Sequence, residues 1–351
     1  MSEQRTEIGQ LGEFGLIKVI TKDLAHVQPS TLLGVGDDAA VIDPKEEVVV
    51  VTTDLLTEGV HFDLSYTPLK HLGYKAVVVN LSDVYAMNAT PKQITVALAI
   101  SNRFSVEAVE ELYIGIRKAC EVYNVDLVGG DTTSSKSGLT LSITAIGTAK
   151  PDKIVKRSTA QDKDLIVVSG DLGGAYMGLQ VLEREKTVFA SAPTTQPELE
   201  GFDYILERQL KPEARRDIIE LLAKIDVQPT SMIDVSDGLA SEILHLCTES
   251  NLGCRLHENK IPIDQQTFDT ALDFNLDPTL CALSGGEDYE LLFTIKQADF
   301  DKIKGDPHFA IIGHMSEVSD GTQMVLKNGG EVPIQAQGWD SLMGKEEVPE
   351  A

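Results

Sequence analysis

Cysteine is scarce: the 351 residues contain four, Cys120, Cys247, Cys254 and Cys281, with no CxxC pair and no neighbouring histidine cluster. That excludes a disulfide framework and a thiolate zinc site, and leaves reduced thiols filling small gaps in a core. Tryptophan occurs once, at Trp339, and aromatic residues make up only 5% of the chain. Positive charge is short as well. Thirty Lys and Arg stand against 55 Asp and Glu, and the net charge of -25 repels a phosphate backbone, so no nucleic-acid partner is expected. No stretch approaches the roughly 20 apolar residues of a membrane helix, so no membrane partner is expected either. The opening MSEQRTEIGQ lacks the apolar core of a secretory signal, and a cytoplasmic location is expected. There is no GxxxxGKS/T loop and no HRD or DFG set, which removes P-loop enzymes and protein kinases.

What is present is enough chain for about two domains, with 42% hydrophobic residues, as in globular proteins. The first half alternates strand-like and helix-like segments. Residues 32–42 are apolar across a Gly-Asp turn, Val48 to Val51 is a run of valines ending in Thr52-Thr53-Asp54, and Ile94 to Ile100 alternates. Ser105 to Val125 carries Val109, Leu112, Ile116, Cys120 and Tyr123 at helical spacing. The polar Lys150-Pro151-Asp152-Lys153 marks the expected boundary between domains 1–150 and 151–351, after which Leu165 to Ser169 restarts a strand. Glu183 to Gly201 reads as a loop, and Gly344 to Ala351 as an acidic tail.

Aspartates stand where propensity and burial argue against them. They are Asp37 and Asp38 in GVGDDAAV, Asp54 in VVVVTTD, Asp83 in VVVNLSD, Asp131 in LVGGDTT, and Asp234 and Asp237 in MIDVSDGL. Asp83 is the sharpest case, because Leu72, Ala76, Val79, Asp83 and Ala86 form one stripe of a helix and place a carboxylate on its apolar side. A buried carboxylate must be paired, protonated or bound to metal. Few Lys or Arg stand in these motifs, and oxygen donors without a His or Cys cluster point to Mg2+. Taken singly, each aspartate has a plainer reading: Asp37 or Asp38 holding a turn, Asp237 capping the helix that begins near Leu239. Five segments with one form weigh against that. Mg2+ on carboxylates completes its shell with water and substrate phosphate, so a polyphosphate ligand follows. Gly34 to Ala39 imitates a GxGxxA dinucleotide fingerprint, but that motif must open a helix, and Val41-Ile42-Asp43-Pro44 continues as strand and turn.

GVGDDAAV, TTDLLTEGVHF, NLSDVYAMNATP, LVGGDTT, KRS, IDVSDGLAS and SGGEDYELLF follow in order over about the first three hundred residues. The set resembles the bacterial thiamine-monophosphate kinases, a branch of the aminoimidazole ribonucleotide synthetase-like superfamily. The resemblance implies a two-domain α/β (α+β) fold. Its N-terminal mixed sheet with helices pairs in a homodimer, and its C-terminal α/β domain completes an active site between the two. It implies ATP and thiamine monophosphate as substrates and Mg2+ as cofactor. By matched motif, Asp37, Thr52, Thr53, Asp54, Asp83, Asp131, Asp234 and Asp237 would be Mg2+ ligands. Tyr113, Gly130, Arg157 and Ser236 would contact ATP, and His61, Glu287 and Trp339 would line the thiamine phosphate pocket. Asp54, Asp131 and Arg157 would carry the transfer. On the residues alone, Tyr113 and Trp339 read equally as core aromatics, His61 as a strand-end histidine and Glu287 as a turn residue. Tyr85, Asn88, Thr159 and Lys163 stand where the family pattern has small residues or glycine.

The acceptor is a phosphate monoester, already an anionic nucleophile at neutral pH, so direct in-line transfer without a general base is expected. Another ATP-dependent member of the superfamily, or a metal-dependent phosphohydrolase recruiting His61 and Asp63, are the alternatives. The C-terminal cysteine motif of the hydrogenase-maturation relatives and the N-terminal reactive residue of selenophosphate synthetases are absent.

Overall fold

The computed structural model describes Thr6 and residues 8–22, 24–35, 39–194 and 196–336. Asp37, Asp38 and Trp339, and with them the expected acidic tail, lie outside the described residues. The first half runs α1 (Ile8–Ile20), β1 (Thr31–Leu33), β2 (Val41–Ile42), β3 (Val48–Thr57), α2 (Leu69–Ala86), β4 (Thr90–Ile100), α3 (Val106–Tyr123), β5 (Asp126–Ser134) and β6 (Leu139–Ala149). Four of these strands form a mixed sheet in the order β3-β6-β4-β5, with only β4 and β5 parallel. Alternation in these strands sends Leu141, Ile143, Val96 and Leu98 to a face that, with α2 and α3, encloses the first core.

Ser105 caps α3 by accepting from the Ala108 N–H, and Asn124 ends it in the left-handed conformation. Helix α2 differs from the amphipathic stripe expected of it. Fourteen of its eighteen residues are buried, because the first sheet covers one side and the second half of the chain the other. It ends at Ala86, and two residues on Asn88 turns the chain away with a φ of +55°, a conformation that suits asparagine or glycine, while its Nδ2 donates to the Lys153 carbonyl. Tyr85 is buried beside Tyr123, their rings 6.3 Å apart. The hydroxyls of Tyr123 and Tyr74 both donate to the Glu213 carboxylate, tying α3 and α2 to the second half.

After Ala149 the chain turns through Pro151–Lys153 and Arg157–Thr159 into β7 (Leu165–Ser169), α4 (Gly174–Ser191), α5 (Asp203–Leu210), α6 (Arg216–Lys224) and β8 (Ser231–Asp234). There follow α7 (Leu239–Ser250), β9 (Gly253–His257), α8 (Gln265–Asp273), α9 (Pro278–Ser284), β10 (Leu291–Ile295), β11 (Phe309–Ser316), β12 (Thr322–Val325) and β13 (Glu331–Pro333). These strands make a second sheet, β13-β12-β9-β11-β7-β10-β8, antiparallel except where β12 meets β9. The segment from Glu183 is not a loop at first: α4 continues to Ser191 before the chain leaves the helix. Glu183, Lys186 and Thr187 form bonds at helical spacing that extend it. All four cysteines are buried and free. No described helix is long and apolar enough to cross a membrane.

Candidate functional site

The site forms where α2 lies between the two sheets. Strand β3 emerges from its valine run at Thr52, and the period of two sends Thr52 and Asp54 inward toward α2 and Thr53 outward. The Thr52 hydroxyl donates to Asp83 Oδ2 at 2.6 Å. The Asp54 N–H donates to Asn80 Oδ1 at 3.0 Å, and Asn80 is fixed in turn by its bond to the Ala76 carbonyl. From α2, the Ser82 hydroxyl reaches across to Asp234 Oδ2 at 2.6 Å, joining the end of β8 to the first half.

Three carboxylates thus meet with little compensation. Burial, then the charge of Asp83, pushes Asp54 up to about 6. Burial and Asp83 likewise raise Asp234, which is 3% exposed. Asp83 is raised by burial in spite of its bond from Thr52 and the nearby positive charge of Arg157. Arg157, exposed at the 3-10 turn, is the cation whose field reaches Asp83, Asp234 and Glu242. Glu242 on α7 has no counterpart in the sequence reading. It is buried, its Oε1 accepts the Asp237 N–H at 2.8 Å, and burial pushes it up to about 7. The signal available was a glutamate among Leu239, Ala240, Ile243 and Leu246, an apolar helix face. Asp237 does not cap α7; Gly238 is the capping residue, leaving the Asp237 carboxylate at the mouth of the cluster.

These shifts fix a sign. A carboxyl whose folded value lies above its unfolded one binds protons preferentially when folded, so its contribution to stability falls as pH rises through the interval between the two. Without divalent cations, the protein is expected to lose melting temperature between about pH 4 and pH 6 more steeply than an Asp54→Asn variant. Parallel pH curves for the two proteins would contradict the burial of an uncompensated charge at Asp54.

The segment 286–290 forms the opposite wall. The Glu287 N–H donates to the Ser236 carbonyl at 2.7 Å and the Val235 N–H to the Glu290 carbonyl at 2.7 Å, so this segment lies along 235–236. Gly286 is required there, since a Cβ would stand 2.3 Å from the Ser236 oxygen. Glu287 is held by Lys75 Nζ at 2.8 Å and by Gln209 Nε2 at 2.9 Å. Lys75 is 4% exposed, a buried cation on α2 that motif reading passed over because its partner is more than two hundred residues away. Beneath them, Glu290 pairs with Arg208 and Arg215, and Asp288 accepts the N–H groups of Gly173 and Ala175.

Other predicted positions lie apart within one chain. Thr53 faces outward, bonded to the Ile143 carbonyl and to the Thr144 hydroxyl. Asp131 is exposed on edge strand β5, paired with Ala97, three strands and about 14 Å across the sheet from β3 at ordinary strand spacing. Gly130 packs against β4, where a Cβ would meet the Val96 carbonyl at 2.0 Å. Tyr113 is buried in the first core on α3. His61 is exposed just beyond β3, its Nδ1 accepting the Thr57 N–H. The segment that follows it is tied to α4 by Asp63–Lys186 and Tyr66–Glu183, beside Glu287.

Comparison with known proteins bears on this arrangement. The family model described as AIR synthase related protein, N-terminal domain, matches residues 36–149. The thiamine-monophosphate kinase of Aquifex aeolicus is 35% identical over 286 residues, 81% of this chain and 86% of that protein. That of Bacillus subtilis is 32% identical over 336 residues, 91% of this chain and 98% of the relative. A solved structure of AaThiL complexed with AMPPCP and TMP superposes with a TM-score of 0.73 at 31% identity, covering 97% of this chain and 99% of that one. With this identity sustained over both sheets, the chain belongs to the thiamine-monophosphate kinase family.

Proposed function

We propose that this protein transfers the γ-phosphoryl group of ATP directly to the phosphate of thiamine monophosphate, giving thiamine diphosphate and ADP, with Mg2+ held by the aspartate cluster. The observation that carries the reading is that one helix, α2, ties all three aspartates to the junction of the two sheets: Asn80 accepts the Asp54 N–H, Asp83 is bonded by Thr52, and Ser82 bonds Asp234. The relative complexed with AMPPCP and TMP supports both substrate classes.

The donor set fits Mg2+. Every candidate ligand is an oxygen, and the raised carboxyls of Asp54, Asp83 and Asp234 mark negative charge that the protein itself leaves unbalanced. Among the described residues no three His, Cys, Asp or Glu side chains form a ready-made metal cage. Mg2+ takes one or two carboxylates and fills its shell with water and phosphate oxygens. Thr52, Asp54, Asp83, Asp234 and Asp237 would hold it from one chain, with Asp37, Thr53 and Asp131 carried over from the family pattern. Bound Mg2+ supplies the positive charge that lets two anionic phosphates approach.

The chain's own task is positioning. Arg157 forks onto phosphate oxygens opposite the carboxylates, Ser236, Gly130 and Tyr113 contact the nucleotide, and His61, Glu287 and Trp339 receive the thiamine moiety. The acceptor's second pKa is about 6, so its oxygen attacks as an anion and no base is needed. One P–O bond forms to the acceptor as the bond to ADP breaks. Residues 1–150 and 151–351 act as two domains with the site between them. Incubation with Mg-ATP and thiamine phosphate, followed by chromatography, tests the reading: equal amounts of ADP and thiamine diphosphate are expected. ADP without thiamine diphosphate would overturn it in favour of a hydrolase or another member of the superfamily.

We also propose a homodimer through the outer face of the first sheet. Val49, Val51 and Leu55 are 46%, 61% and 56% exposed on β3, an apolar surface left open among the described residues. Two-fold pairing of that face would bring Asp131 of one copy toward the outward-facing Thr53 of the other, completing a ligand set that a single chain leaves divided. Val51→Lys is expected to convert the dimer to a monomer in light scattering and to lower activity. A wild-type monomer would refute the pairing.

A further inference from the structure

We propose that the hydroxyl of Tyr289 is a substrate-binding group, donating a hydrogen bond to the phosphate of the acceptor between the aspartate cluster and Glu287. This inference rests on the reading of the site given above and adds a residue to it.

The tyrosine is placed there at a cost. Its φ is +52° and that of Glu287 is +67°, so two of three consecutive residues occupy the left-handed region that non-glycine side chains avoid. The strain is held by the backbone, because the Tyr289 N–H donates to the Val235 carbonyl at 2.9 Å while the Glu287 N–H donates to that of Ser236. The alternation of Tyr289, Leu291 and Phe293 suggests that the strand begins at Tyr289. In the structure β10 begins only at Leu291, and the residues before it turn aside.

The consequence is a side chain that belongs to both halves. Tyr289 follows Glu287 in the second half, yet it is buried in the first core with the residues of α2 and β3. It is 8% exposed, and among the described residues its hydroxyl has no hydrogen-bond partner. Tyr66, Tyr74, Tyr123 and Tyr204, by contrast, each bond a carboxylate. Burial, then the negative charges of Glu287, Asp234, Asp54 and Asp237, holds the Tyr289 phenol protonated far above its ordinary range. A phenol donor tied by its backbone to Val235, two residues from Glu287 and next to the strand that ends in Asp234, buried and committed to no acceptor, is suited to an anion that enters between the two sub-sites.

Tyr289→Phe keeps the ring and removes only the hydroxyl. Titration calorimetry with thiamine phosphate in the presence of Mg2+ and a non-hydrolysable ATP analogue is expected to give an affinity about 10- to 100-fold weaker than wild type, the size of a hydrogen bond to a charged group. The KM for thiamine phosphate should rise alongside, with the KM for ATP and the melting temperature unchanged. A fall in melting temperature with both KM values unmoved would assign the residue to packing alone and overturn the proposal, as would a variant indistinguishable from wild type. Wild-type protein that binds the nucleotide analogue but not thiamine phosphate would instead defeat the reading of the site from which the proposal starts.

Discussion

Asp54→Asn is expected to reduce turnover by at least about a thousandfold while leaving the fold intact. The side chain faces α2 beside Asp83, and Asn retains its shape but withdraws the charge with which it would hold the proposed divalent ion. A thousandfold corresponds to about 4 kcal/mol of transition-state stabilisation, within the several kcal/mol that a metal contributes to phosphoryl transfer. The fold has no reason to suffer. The bond that anchors this strand to α2 is made by the Asp54 backbone to Asn80, not by the carboxylate. Removal of the charge also relieves repulsion with Asp83. Lost activity with an unchanged or raised melting temperature is therefore the expected pair of results. Near-normal turnover at saturating Mg2+ would remove Asp54 from the metal site.

The second large effect is one of packing. Helices α2 and α3 touch through reciprocal glycines: a Cβ on Gly73 would stand 2.0 Å from the Leu112 carbonyl, and one on Gly115 would stand 1.9 Å from that of Lys70. Both obstacles are backbone, so neither can rotate away. Gly115→Ala must therefore drive the helices apart, at a cost of about 1 to 3 kcal/mol for overpacking and more if the backbone cannot yield. Because α2 carries Lys75, Asn80, Ser82 and Asp83, the displacement reaches both walls of the site. A lower denaturation midpoint is expected together with a loss of activity larger than the loss of folded protein explains. An unchanged midpoint would mean that the contact is looser than these distances state.

Much of this was legible in the chain itself. The strand through Thr52-Thr53-Asp54, which runs on to Thr57 rather than ending at the aspartate, and the helix begun by Ser105 are local matters, set by alternation and capping over a few residues. The aspartates were legible as a group because each stands out against its own neighbours. The helical tail of α4 was missed since polar, charged sequence suits an exposed helix as well as a loop. Lys75 escaped because its partner Glu287 lies more than two hundred residues away, and Glu242 because its one local signal, a place on an apolar helix face, belongs to no motif.

The sequence by itself determined the local elements, the acidic and cysteine-poor chemistry, and the ordered motifs by which the family is known. Only the tertiary structure decided which of those motifs share a site. Alternation along β3 separates Thr52 and Asp54 from Thr53, but which face meets α2 depends on packing over distances that no local pattern records. The same holds for α2, whose burial on both sides follows from two sheets formed by distant segments closing on it. Likewise Asp131 is set across the sheet from Asp54 by strand order, which is a property of the whole fold and not of either motif.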